Sequence, residues 1–148
     1  MAKNTMAVTF DSKGIQAGLD RLGSQAVKAS HEAARQGGEH MYFSARVTCP
    51  VNAEDTVFYG HGGQYHFPAG NLRNSIYMVY SKDKSSATRT TYHISWNRDK
   101  APYGYMVEFG TARAEANPWL RRAYDQSHVE ALTLANVRFK AEMAGVTS

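Results

Sequence analysis

Between Ile15 and Gly37, apolar or small residues recur at steps of three or four: Ile15, Leu19, Leu22, Ala26, Ala29, Ala33 and Gly37. At 3.6 residues per turn that spacing puts them on one stripe of an α-helix. The stripe begins with large side chains and ends with small ones, which predicts a helix crossing closely over another element. Asp11 or Ser12 offers a short side-chain oxygen that can cap its first free N–H groups. Gly37-Gly38 is its weak point, because each glycine costs about 1 kcal/mol in a helix interior. The helix either kinks there or runs on through Met41 and Phe43 until Pro50 stops it. Uninterrupted, it would be about 50 Å long at 1.5 Å per residue. Val8-Thr9-Phe10 is a candidate short strand ahead of it.

After Pro50 the period changes from that of a helix to that of a strand. Tyr92, Ile94 and Trp96 alternate with Thr91, His93 and Ser95, so one face is apolar and the other polar. Ile76, Met78 and Tyr80 alternate with Tyr77 and Val79, and the polar segment 81–87 between the two runs predicts an antiparallel hairpin. Thr56 to Tyr59 and Tyr65 to Phe67 form a second candidate pair around Gly60-His61-Gly62-Gly63. Pro102 can open a short helix, where its missing N–H is not needed, and Gly110 can close it in a left-handed conformation. Asn117-Pro118 repeats the start signal for a last helix, whose core stripe is Leu120, Ala123, Tyr124, Ser127, Ala131, Leu134 and Ala135.

The expected fold is α+β. A long N-terminal helix, an antiparallel sheet of three to four strands, a short helix and a C-terminal helix pack with the helices on one sheet face. A chain of 148 residues suits a single domain. Its parts are an N-terminal arm (1–11), the long helix (12–47), an inserted loop or hairpin (51–69), the antiparallel hairpin (70–97), the short helix with its connector (98–118) and the closing helix (118–144). The polar strand face carrying Thr91, His93 and Ser95 is left to water or a partner.

Composition narrows the function classes. Cys49 is the only cysteine, so no intramolecular disulfide can form and an oxidising compartment is not indicated. The N-terminus has no apolar core of signal-peptide type. No window reaches the roughly 18 apolar residues of a membrane span, so a soluble protein made in a cytoplasm is expected. The net charge of +4 is mild, and eight basic against four acidic residues between Lys82 and Arg122 can account for all of it. Such a stretch is a solvated surface or a contact for DNA or an acidic partner.

The candidates for chemistry are few. His61 and His66 in "HGGQYH" lie five apart, with His40 and Cys49 upstream, but a zinc site needs three or four converging ligands at recognisable spacing. His93 has Thr91 and Ser95 as strand neighbours, without an orienting carboxylate in view. Glu108 sits between Val107 and Phe109, an apolar setting for an acid or base; the bland reading, an ion pair with Arg113, Arg121 or Arg122, is preferred. No strong catalytic signature occurs, and neither a catalytic residue nor a cofactor is expected. The competing classes are a small metal-dependent nuclease using His61, His66 and Glu108, and a DNA-binding module. The module would draw on Arg98, Lys100, Arg113, Arg121 and Arg122.

Two blocks carry a resemblance. "AGNLRNSI" (Ala69 to Ile76) has the form G-x-L-R-x-S-I. "APYGYMVEFGTARAEANPWLRRA" (Ala101 to Ala123) contains V-E-F-G-T followed by P-W-L-R. In this order, behind a long amphipathic helix, the chain from about Ile15 to Tyr124 resembles the tail-completion (minor tail component) family of tailed bacteriophages. That resemblance implies a virion structural protein that completes the tail and joins it to the DNA-filled head. It would be one subunit of a hexameric or dodecameric ring around the DNA channel, made in the bacterial cytoplasm and located in the neck.

Its implied partners are copies of itself and neighbouring neck, head-closure and tail-terminator or tail-tube proteins, with room for non-specific contact with channel DNA and none with membrane. The residues carried over are Gly70, Leu72, Arg73 and Ser75, then Tyr103, Val107, Glu108, Phe109, Gly110, Thr111, Pro118, Trp119, Leu120 and Arg121. Their implied roles are architectural or interfacial. Two departures from the family pattern stand out: the inserted Val51–Ala69 segment, and Arg122 where the family places proline. The Arg98–Pro118 segment and the inserted loop are the expected contacts to neighbours.

Overall fold

The computed structural model describes residues 11–60 and 62–145. The candidate strand at Val8-Thr9-Phe10, most of the N-terminal arm and His61 lie outside the described residues. The long helix, α1 (Lys13–Thr48), is continuous through Gly37-Gly38, about 54 Å at 1.5 Å per residue. The Asp11 carboxylate accepts the Lys13 N–H at 3.0 Å at its start. At its end Cys49, with Pro50 behind it, has swung to an extended ψ of 126°, as the residue before a proline is driven to do.

The helix runs on through Gly37 and Gly38, and each of them makes room for a different neighbour. A Cβ at Gly37 would stand 3.0 Å from the Ala131 carbonyl oxygen of the C-terminal helix. At Gly38 it would stand 2.8 Å from the Met78 methyl on the sheet side. The cost of two glycines is thus offset by close packing on two sides of α1.

The C-terminal helix, α4 (Trp119–Ala144), runs antiparallel along α1. The Thr48 hydroxyl lies 3.0 Å from the Trp119 carbonyl oxygen, and Ser44 donates to Ala123 at 3.4 Å. At the far end the Gln25 amide reaches the Glu142 carbonyl at 3.2 Å. Small residues fill the seam, with Ala29, Ala33, Ala123, Ser127 and Ala131 buried.

Two parts of the expected stripes are not buried. Ile15, Leu19 and Leu22 are exposed because α4 ends before it can cover them. Tyr124 is also exposed, since it points to one side of the seam.

Among the described residues four strands form, divided between two separate hairpins rather than joined in one sheet. β1 (Thr56–Gly60) pairs with β2 (Gly63–Phe67), and β3 (Ile76–Tyr80) pairs with β4 (Tyr92–Trp96), both antiparallel. In the second hairpin Ile76 faces Trp96, Met78 faces Ile94 and Tyr80 faces Tyr92. Period-two alternation puts these six side chains on one face, the face against α1. A single helical turn, α2 (Asn71–Asn74), leads into β3 and is not foreshadowed by the residue pattern. Four residues without a hydrophobic stripe give no periodic signal. The short helix, α3, spans Gly104–Phe109.

The core lies where these elements meet. Trp119 is fully buried and meets Trp96 edge-on, ring centroids 5.9 Å apart. Ala45, Cys49, Leu72, Ile76, Ala101 and Ala123 close around the pair.

Candidate functional site

The two sequence blocks meet at this core. Gly70 holds φ 70°, ψ 12°, the left-handed conformation open to glycine, and starts α2. Leu72 then enters the core, and the buried Ser75 hydroxyl donates to the Leu72 carbonyl at 2.7 Å. Arg73, between them, is half-buried, and its Nε is buried without a hydrogen-bond partner.

From the second block, Gly104 packs directly under Trp96. A Cβ there would overlap the indole nitrogen and stand 2.8 Å from the Leu72 Cδ1. Gly104 therefore joins the two blocks through the tryptophan between them, and neither Gly104 nor Trp96 belongs to a recognised motif position. The signal available was steric: only a glycine lets a helix start against an indole face.

Glu108 is the centre of the second block. It is 5% exposed, and its carboxylate accepts the Leu120 N–H at 2.9 Å and the Arg121 N–H at 3.1 Å. These are orphan donors in the first turn of α4, where a negative charge is favoured by the helix dipole. The ion pair with Arg113, Arg121 or Arg122 is therefore replaced by a cap supplied from another helix. Backbone donors win because they are fixed in place, whereas an exposed arginine must lose side-chain entropy to pair. Asn117 does not cap α4 either; its side-chain oxygen accepts from Arg122 Nη2 at 3.0 Å. Pro118 sits at the helix boundary with φ −74°.

The connector is tied at several points. Gly110 ends α3 at φ 76°, ψ 177°: φ is positive as expected, but the residue is extended, not left-handed helical. The Thr111 hydroxyl oxygen accepts the Arg113 and Ala114 N–H groups at 3.2 and 3.1 Å, folding the 111–114 turn. Asn117 N–H donates to the Val107 carbonyl at 2.8 Å, stitching the returning chain to α3. Val107 and Leu120 are half-buried against the core.

Outside this scaffold several large apolar side chains are exposed. Tyr105, Met106 and Phe109 form the outer ridge of α3, each more than half exposed, with the Tyr105 and Phe109 rings 4.6 Å apart. On one flank Tyr103 stacks with Phe58 and meets Phe67 edge-on, centroids 5.9 and 4.8 Å away. This cluster anchors the β1–β2 hairpin to α3 and leaves a hollow of about 430 Å³ walled by Phe58, Tyr65, Phe67 and Met106. On the other flank Arg98, Tyr105, Phe109, Arg121 and Tyr124 border a more open hollow of about 490 Å³. Large apolar side chains exposed side by side in this way are a feature of protein-contact surfaces.

Of the residues named from sequence, Gly70, Leu72, Ser75, Tyr103, Val107, Glu108, Gly110, Trp119 and Leu120 are therefore scaffold. Phe109, Thr111 and Arg121 face outward. Spacing puts Met106 on one helix face with Tyr103 and Val107, yet Met106 is exposed where they are half-buried, and sequence reasoning missed Tyr105.

The histidines come to no shared centre among the described residues. His66 is exposed on β2 and His93 half-buried on β4, while both oxygens of Glu108 are engaged by α4. Among the described residues no group of three or more His, Cys, Asp or Glu lies close enough to hold a metal ion. No described helix is long and apolar enough to cross a membrane. No family model matches the chain, and neither a curated protein nor a solved structure does.

Proposed function

We propose that the chain is a structural subunit of a tailed-bacteriophage neck, working by assembly as part of a ring that joins the tail to the DNA-filled head. The observation that carries the reading is the Tyr105–Met106–Phe109 ridge, held out on a corner whose every turn is fixed from within. A loop that worked by moving would not be pinned at Glu108, Gly110, Thr111 and Asn117 together. The resemblance of V-E-F-G-T and P-W-L-R to the tail-completion family supplies the particle in which such a corner would dock. On this reading the β1–β2 hairpin, standing in the inserted segment and anchored through Tyr103, widens the docking surface on one side. Arg98 and Arg121 give the other side a basic edge suited to an acidic partner.

The test is the composition of purified virions from a phage encoding the chain. The subunit is expected in stoichiometric amounts near the neck in an imaged particle. Virions that assemble and infect without it would end the proposal. Phe109→Asp is expected to leave the fold intact, because the side chain is exposed, and to yield heads and tails that fail to join.

A further inference from the structure

One hollow of this molecule has a lining of two kinds, apolar and cationic. It lies on the Arg98 flank of α3 and has a volume of about 490 Å³. Tyr105 and Phe109 of α3, their rings 4.6 Å apart, make one apolar wall, and Leu120 and Tyr124 of α4 make the other. The buried Trp96 also borders it. Arg98, two residues beyond β4, and Arg121, in the first turn of α4, supply the cations. Both are exposed, and neither makes an ion pair among the described residues.

No carboxylate that borders the hollow is free to pair with them. Glu108 does border it, but both its oxygens are engaged by the Leu120 and Arg121 N–H groups. Its charge is met there by the positive end of the α4 dipole. Asp99 and Asp125 are not among the residues that border the hollow. Asp125 follows Tyr124 and so stands about 100° further round α4, at 3.6 residues per turn. An apolar occupant alone would therefore cover two guanidinium groups without pairing them, which is unfavourable. A small anion alone would leave the aromatic walls in water.

We infer that this hollow binds a short segment of a partner protein in which a carboxylate stands beside a large apolar side chain. The apolar side chain lies between the α3 and α4 walls, and the carboxylate meets Arg98 and Arg121. A guanidinium fork matches a carboxylate in shape as well as in charge. This deepens the assembly reading above, and rests on it for the particle, not for the chemistry of the site. A nucleic-acid strand fits the lining less well. Such a strand needs open aromatic faces along a cationic groove. Here the Tyr124 ring is stacked on His128 at 5.0 Å and 9°, and Tyr105 packs on Phe109. Two cations match one or two carboxylates, whereas a phosphate at every nucleotide would crowd Glu108.

The experiment is titration of the full-length, isotope-labelled chain with acetyl-Glu-Phe-Glu-amide, read by NMR at the backbone amides of Phe109, Leu120 and Arg121. Saturable shifts at these amides are expected. They should weaken several-fold between about 0.01 and 0.1 M salt, where the screening length falls from about 30 to about 10 Å. Acetyl-Glu-Ala-Glu-amide, without the apolar anchor, and acetyl-Lys-Phe-Lys-amide, without the charge, should each bind several-fold more weakly. Arg98→Glu combined with Arg121→Glu, both at exposed positions, should reverse the preference between the Glu and Lys peptides. Lys84→Ala, on the β3–β4 loop, should leave that preference unchanged. Equal shifts from the Glu and Lys peptides, no shifts from either, or a preference that the double variant fails to reverse would overturn the site. A ten-nucleotide oligothymidylate binding more tightly than the Glu peptide would replace the protein segment with nucleic acid. Virion composition is read separately. Peptide binding without incorporation keeps the site and removes the neck role, and incorporation without peptide binding does the reverse.

Discussion

Glu108 binds the first turn of a helix that begins 11 residues after it in the chain, at Trp119, so a change at this residue acts on α4 and not on a loop. Glu108→Ala leaves two part-buried N–H groups of the first turn of α4 without their acceptor and is expected to cost about 2 kcal/mol, with Glu108→Gln nearer 1 kcal/mol. Urea titration of the variants checks both, and equal stability of Glu108→Ala and wild type would refute the cap.

Cys49 shows how burial sets chemistry at one residue. Burial pushes its thiol up to about 11 from 9.0, with Arg73 and Arg46 opposing the rise. A raised folded value means that the protonated thiol is favoured by folding. That contribution is complete below pH 9.0 and is lost as pH climbs through about 11. At neutral pH the native chain should alkylate far more slowly than the chain in guanidinium, and similar rates would contradict the burial.

At the level of elements, the paired glycines of α1 separate two kinds of neighbour. At position 37 an added methyl meets a backbone carbonyl of α4, which cannot move without moving the helix. At position 38 it meets the end of a methionine, which can. Gly37→Ala is therefore expected to destabilise by about 1–3 kcal/mol through overpacking. Gly38→Ala should stay within about 1 kcal/mol of wild type, as the gain in helix propensity offsets the shift of Met78. Thermal melts rank the two, and the reverse order would show that α4 yields more readily than Met78.

The hairpins obey a different logic. An isolated two-stranded hairpin is marginal in water, so β1–β2 depends on Phe58 and Phe67 against Tyr103. Tyr103→Ala should loosen the hairpin, with earlier amide exchange at Thr56–Phe67 than in α4.

For the whole molecule, α1 has two parts with separate tasks: the part from Gln25 onward packs on α4 and the hairpin, and the 13–24 part extends past the end of α4. Leu19→Glu is expected to change the stability of the isolated chain by less than about 0.5 kcal/mol, as exposed positions usually do. Ala33→Leu, in the buried seam, should cost about 1–3 kcal/mol by overpacking. A large loss from Leu19→Glu in the monomer would mean that the free end folds back onto its own chain.

Periodicity, caps and breakers make the α+β class and the order of elements legible in the chain alone, because local spacing fixes which side chains share a face. The β3–β4 hairpin and the long helix follow from that spacing, as does the end of α3 at Gly110. What spacing does not carry is the partner of each face. The stripe from Ile15 to Gly37 reads as one continuous surface, yet it is buried only as far as α4 reaches. Glu108 looks toward nearby arginines, yet it finds the N–H groups of α4. The separation of four strands into two hairpins, the fit of Gly104 under Trp96, and the ridge of Tyr105, Met106 and Phe109 are likewise matters of distance in space. Which long elements form and roughly where they stop depends on neighbours along the chain, and so is written in the order of residues, whereas a four-residue turn such as α2 is not. Which apolar faces are covered and which polar groups are capped depends on which elements meet and how far each extends, and that is settled only in the folded molecule.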